Sequence, residues 1–135
     1  MSNPNRGPAK ENPFRAACAA NLASFVIGAE GGNVINVGIQ LQDANGNDVV
    51  ERVSVLAYLS NEANGDAVAG VAIDTVAIGT DGLLIPIVTG KMFQLVSESD
   101  GDIDINFTED GTTSWYLHLI MPDGSIVSSG VFTYV

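Results

Sequence analysis

The chain has little from which chemistry could be built: among 135 residues there is one cysteine, one histidine and one tryptophan. A lone Cys18 excludes an internal disulfide framework and a thiolate-rich metal site. In the run Ala16-Ala17-Cys18-Ala19-Ala20, with Arg15 as its only charged neighbour, the thiol reads as a small packing residue. A lone His118, set between Leu117 and Leu119, excludes multi-histidine metal centres. With no G-x-S-x-G elbow around any serine, it reads as a packed or interface-facing residue rather than a base. Gly31-Gly32 stands before an alternating run and has no G-x-x-x-x-G-K pattern around it, so phosphate-loop chemistry is excluded. Carboxylates are so abundant that no particular pair points to glycoside hydrolysis. The chain is therefore expected to be no enzyme, with no catalytic, cofactor-binding or metal-ligating residues and no cofactor.

Basic residues are also scarce. Five Lys and Arg against 16 Asp and Glu leave a net charge of −11, which argues against nucleic acid, whose phosphates need clustered cations, and against an anionic membrane surface. No apolar run approaches the roughly 18 residues of a membrane span, so a soluble chain is expected. Arg6, Lys10 and Arg15 followed by Ala16 to Ala29 imitate a signal peptide, but Asn21 and Ser24 interrupt the apolar part, and the segment is read as part of the working protein.

What is present is β-forming. Apolar residues make up 46% of the chain and charged residues 16%, a profile in which Asn, Ser, Thr, Gly and Gln must supply the polar surface of one globular domain. Charge divides the chain in two. Residues 1–15 hold three basic residues and one acidic, a net of +2, whereas residues 16–135 hold two basic and 15 acidic, a net of −13. The first segment also contains Pro4, Pro8 and Pro13 of the chain's five prolines, so residues 1–21 are read as an extended arm. Asn12 as cap and Pro13 as first helical residue predict a short helix over 13–20 within it.

From Leu22 onward the period becomes two. Ile35, Val37, Ile39 and Leu41 alternate with Asn36, Gly38, Gln40 and Gln42, and Ile103, Ile105 and Phe107 alternate with Asp102, Asp104 and Asn106, each run placing one face on a core and one in solvent. Six Asx-Gly dipeptides, beginning at Asn45, Asn64, Asp81, Asp100, Asp110 and Asp123, punctuate the body with turns. Further strands are predicted near 49–59, 69–78, 83–88, 92–98, 114–120 and 126–134. With Trp115, Leu117 and Leu119 on one side and Tyr116 and Ile120 on the other, strand 114–120 should be central and covered on both faces. Eight or nine such strands with no amphipathic helix predict an all-β, antiparallel two-sheet sandwich over residues 22–135, jelly-roll-like or, alternatively, immunoglobulin-like.

Asp100, Asp102 and Asp104 imitate the opening of a calcium loop, but Ile105 and Gly111 stand where that loop needs glycine and glutamate. The stretch is read as an acidic, solvated strand face, and the Asp43 to Asp48 turn as no cation site either. In the arm, Phe14 between Pro13 and Arg15 offers an apolar anchor beside a charge, suited to docking on a neighbouring subunit. Arg6, Lys10, Pro13, Phe14 and Arg15 are the expected contact residues of the arm.

The stretches VINVGIQLQDANGNDV (34–49), LAYLS (56–60) and AIGTDGLLIPIVTGKMFQLVSESDGDIDINFTEDGTTSWYLHLIMPDGSIVSSG (77–130) resemble the small cement or decoration proteins that tailed bacteriophages add to the outside of their heads. The region from Asn33 to Val135 that carries the likeness is about three-quarters of the chain. That resemblance implies a non-enzymatic sandwich, made in the host cytoplasm and carried on the outer surface of the virion. There it would bind the major capsid protein where its subunits meet and reinforce the expanded shell. It also implies self-association as a homodimer or homotrimer. The arm lies outside the resemblance. The alternative expectation is a carbohydrate- or receptor-binding sandwich of a virion or surface protein, which needs an exposed aromatic platform.

Overall fold

A computed structural model describes residues 20–135. The arm residues Arg6, Lys10, Pro13, Phe14 and Arg15, and all but the last residue of the helix expected over 13–20, lie outside the described residues.

Nine strands follow one another: β1 (Leu22–Ile27), β2 (Val34–Gln42), β3 (Ser54–Ser60), β4 (Thr75–Ile78), β5 (Leu83–Val88), β6 (Met92–Val96), β7 (Asp102–Thr108), β8 (Ser114–Ile120) and β9 (Ile126–Thr133). They form a four-stranded sheet in the order β1-β2-β7-β4 and a five-stranded sheet in the order β5-β6-β3-β8-β9. Every pairing is antiparallel, and the chain is an antiparallel β-sandwich. The pairings β3·β8, β4·β7 and β5·β6 nest one inside the next, as in a jelly roll. At the margins β5 joins β6, and β1 joins β2, as simple hairpins.

The core is assembled from the alternating faces. Ile35, Val37, Ile39 and Leu41 of β2 are at most 2% exposed, and they meet Val55, Ala57 and Leu59 of β3 with Leu117 and Leu119 of β8 across the sandwich. Because side chains alternate across a strand, each of these runs presents its other residues outward. Tyr134 closes one end of the core, its hydroxyl donating to the Phe107 carbonyl at 2.8 Å.

Two of the expected strands are shorter than the apolar pattern suggested, for one reason. The run 49–59 pairs as a strand from Ser54 only, because residues 49–53 cross from one sheet to the other. Val49 N still bonds Leu41 O of β2, while Val53 N reaches Ser97 Oγ beyond β6. The run 69–78 returns in the opposite direction and pairs only at Thr75–Ile78. Its anchors are the buried Ala69 and Ile73, whose amides bond Leu59 O and Gly90 O. Apolar residues at a crossing pack downward at isolated points, which imitates a strand in sequence.

Five of the six Asx-Gly glycines take positive φ, Gly111 being the exception. Gly101 shows why a turn requires it. At φ +79°, a Cβ there would collide with the Val49 carbonyl and the Gln40 amide, so the β6–β7 turn packs directly against the crossing segment.

Candidate functional site

The two outer faces of the sandwich differ in character. On the four-stranded sheet the outward positions of β2 and β7 are Val34, Asn36, Gly38, Gln40, Gln42, Asp102, Asp104, Asn106 and Thr108. Asp102 and Asp104 are half-buried, not freely solvated as the sequence suggested. The Asp104 carboxylate accepts from Asn36 Nδ2 and from Thr80 N and Oγ1. Burial works to raise this carboxyl, but the hydrogen bonds from Asn36 and Thr80 outweigh it and hold it below its ordinary value. Asp102 goes the other way, raised by burial and then by the neighbouring Asp81 and Asp100 charges. Asp43 spends its carboxylate on the amides of Asn45 and Asn47, as an Asx turn does. Among the described residues no group of three or more potential ligands is placed to hold a metal ion.

The outer face of the five-stranded sheet carries no Asp, Glu, Lys or Arg on its paired strand positions. Register places Ile85, Gln94, Leu56, Ile120 and Ile126 in one row across all five strands. Beside it lies the row Leu83, Val96 and Ser54. Ile126 is 53% exposed, Leu83 51% and Ile85 44%. An apolar face this wide is unusual on an exposed protein surface.

One end of that face is covered by the chain itself. The loop after β3 folds over Tyr58 and His118, whose rings stack at 5.2 Å. Tyr58 donates to Gly65 O at 2.6 Å and His118 Nε2 lies 3.2 Å from Glu62 O. Gly65, at φ +69°, sits where a Cβ would strike both rings. His118 is thus a packed histidine, 1% exposed, and Tyr58 is buried with it. Among the described residues every Phe, Tyr and Trp is buried or half-buried, so no exposed aromatic platform for a sugar is present there.

A second feature lies at the end of the sandwich where β7 leads into β8. A cleft of about 430 Å³ is lined by Asn61, Val71, Asp74, Glu109, Thr113 and Trp115, among others. Asp74 Oδ2 accepts from Asp110 N at 2.8 Å. The Glu109 carboxyl, 9% exposed, is raised above its ordinary value by burial and then by Asp74, with the Thr113 hydroxyl bond working against both. Trp115 Nε1–H is buried without an acceptor among the described residues.

Neither feature was singled out from sequence, although a signal for the first was present. In β5 apolar residues occupy both parities, and Leu56, Ile120 and Ile126 are apolar at outward positions. Asp74, Glu109 and Trp115 are brought together only by the crossing after β3. The arm residues Arg6, Lys10, Pro13, Phe14 and Arg15 lie outside the described residues and are not related by geometry to either feature.

Fold and surface define a β-sandwich module whose five-stranded sheet has an uncharged, largely apolar outer face. No family model matches the chain, and no curated protein does. Among solved structures it is similar to a cohesin module from a Clostridium perfringens family 33 glycoside hydrolase, with a TM-score of 0.46 and 15% identity over 86% of this chain and 94% of that one. It is also similar to the archaellum periplasmic stator protein complex FlaF and FlaG from Sulfolobus acidocaldarius, with a TM-score of 0.42 and 11% identity over 98% of this chain and 100% of that one.

Proposed function

We propose that the chain is a non-catalytic structural module that binds a protein surface through the outer face of its five-stranded sheet. The surface we propose is the capsid shell of a tailed bacteriophage, on whose exterior the module acts as a decoration protein. The observation that carries the binding reading is the uncharged row Ile85-Gln94-Leu56-Ile120-Ile126 on a body whose formal charge is otherwise strongly negative. Depletion of charge with enrichment of large apolar groups is what the centre of a protein interface has and what an ordinary wet surface lacks. The sequence resemblance to decoration proteins supports the choice of shell.

The test is cosedimentation of the full chain with expanded, undecorated phage heads, comparing the native protein with Ile85→Glu and Ile126→Glu. Both positions are about half exposed, so the substitutions cost little folding stability, about 0.5 kcal/mol or less. The native chain is expected to sediment with heads and each variant to lose at least about tenfold in affinity, since a charge buried unpaired at an interface centre costs more than 1.4 kcal/mol. A monomer that ignores heads and binds glycans would sink the proposal in favour of a carbohydrate-binding module.

A further inference from the structure

The cleft beside Trp115 is separate from the outer face, and its chemistry is specific enough to name an occupant. Trp115 is the chain's only tryptophan, is 2% exposed and has an indole N–H with no acceptor. A buried donor left unpaired forfeits its hydration without recovering a bond, a loss that an incoming acceptor would remove. Trp115 is both a member of the hydrocarbon core and one of the residues lining the cleft, so the cleft is the open side of the ring from which an acceptor can arrive.

Three carboxylates, Asp74, Glu109 and Asp110, line the same cleft. Among the described residues the only ion pair is Arg52 with Glu98, so none of the three has a cation there. Lys91 is near the rim, but its ammonium donates to Gly70 O at 2.9 Å. The Glu109 carboxyl is fixed rather than free, since the Thr113 hydroxyl and the Asp74 amide both bond it. Gly111 lies against it, where a Cβ would come within 3.1 Å of Oε2. Val71 and Ala72 supply an apolar wall. The cleft volume falls within the usual range for small-ligand sites.

We infer that this cleft receives an arginine or lysine side chain presented by a polypeptide, its cationic head facing Asp74 and Glu109 and a carbonyl of the same segment accepting from Trp115 Nε1–H. The hydrocarbon stem of either side chain suits the wall at Val71, and a cation opposite the carboxylates offsets both the burial and, after it, the Asp74 repulsion that raise Glu109. A bare metal ion would satisfy the carboxylates but leave the indole unpaired, and a neutral polyol would leave the charges uncompensated. The basic segment can come from this chain's own residues Arg6, Lys10 and Arg15, in the same or a second copy, or from a separate protein.

A single tryptophan means a single indole N–H resonance in the spectrum of the 15N-labelled full chain. Titration with N-acetyl-arginine amide should move that resonance saturably. N-acetyl-citrulline amide, which has the same shape without the charge, should bind at least about tenfold more weakly. Asp74→Asn keeps an oxygen for the Asp110 amide and should weaken the arginine response by about tenfold, while Glu109→Gln should do the same with the native fold retained in the rest of the spectrum. Equal responses to arginine and citrulline, an unchanged titration in Asp74→Asn, or a saturable shift with calcium chloride alone would each overturn the assignment. The triple variant Arg6→Gln, Lys10→Gln, Arg15→Gln separates the sources. A tighter response to added arginine amide in that variant identifies the chain's own segment, and an unchanged one identifies a separate protein. The readout is independent of head binding by Ile85→Glu, so either proposal can fail alone.

Discussion

Gly46 and Gly101 hold similar backbone angles, φ +82° and +79°, but differ in what surrounds them. Nothing lies within 4 Å of a Cβ built on Gly46, whereas one built on Gly101 runs into the Val49 carbonyl. Alanine at position 46 should therefore cost only the left-handed backbone penalty, about 1 kcal/mol, while alanine at 101 adds a backbone collision and should cost roughly 3 kcal/mol or more. Urea unfolding of the two variants checks this, and equal costs would mean that the turn at Gly101 relaxes away from the crossing segment. Both glycines were legible as turn residues from the Asx-Gly pattern. Their difference was not, because Val49 is 52 residues away from Gly101 in the chain and only the crossing brings it close.

At the scale of elements, the sandwich depends on how its crossings are tied down. Ser97 is fully buried just after β6. Its hydroxyl accepts from Val53 N at 2.9 Å and donates to Glu98 O at 2.9 Å, and its own amide bonds Val53 O. This side chain stands in for a ladder where the chain leaves β2 for β3. Ser97→Ala leaves the Val53 amide unpaired in a protected place and should lower stability by about 1–3 kcal/mol. The denaturation midpoint should fall with an unchanged denaturant slope. An unaltered midpoint would mean that water replaces the hydroxyl. The edge strand β5 is managed differently. Pro86 and a register shift between Pro86 and Val88 interrupt it, which discourages pairing through the edge while Leu83 and Ile85 stay exposed on its outward face. The alternation of β2 and β7 could be read directly, since each lies inside a sheet with one face on the core, whereas β8, expected to be covered on both faces, has Tyr116 and Ile120 only half-buried and is covered at His118 by the loop after β3. The crossing segments 49–53 and 61–74 could not be read directly, because apolar anchors spaced along a loop look like a broken strand.

At the scale of the whole molecule, acidity and burial combine into a pH dependence. Asp102 and Glu109 have raised carboxyls, both chiefly through burial. A group raised in the folded state opposes folding where it is charged, so stability should increase as pH falls from 7 through the folded values toward about 4, the ordinary carboxylate value of the unfolded chain. Falling negative charge on a chain at −11 acts in the same direction. Below about 4 the sign reverses. Asp104 is depressed by its Asn36 and Thr80 bonds against the raising effect of burial, and Asp123 is lowered to about 2, first by its Ser125 hydroxyl bond. The stability held by these groups is lost as they protonate. Thermal unfolding should thus show a maximum in the mildly acidic range, and added salt should raise the melting temperature at pH 7 more than at the maximum. A melting temperature that falls steadily from pH 7 downward would contradict this account.

Local pattern determined much of the protein. Alternation at period two set which faces of β2 and β7 are buried, the Asx-Gly pairs set most of the turns, and the shortage of helix-forming periodicity left a sandwich as the way to bury half-apolar sheets. These are properties of neighbours in the chain, and neighbours are what a sequence displays. The tertiary structure decided the rest. The crossings after β2 and β3 chose which strands share a sheet, and so placed Leu56, Ile85, Ile120 and Ile126 in one uncharged row and set Asp74, Glu109 and Trp115 around one cleft. Contacts between residues tens of positions apart depend on strand order, and strand order follows from how two sheets satisfy their edges and core together rather than from any single run of residues.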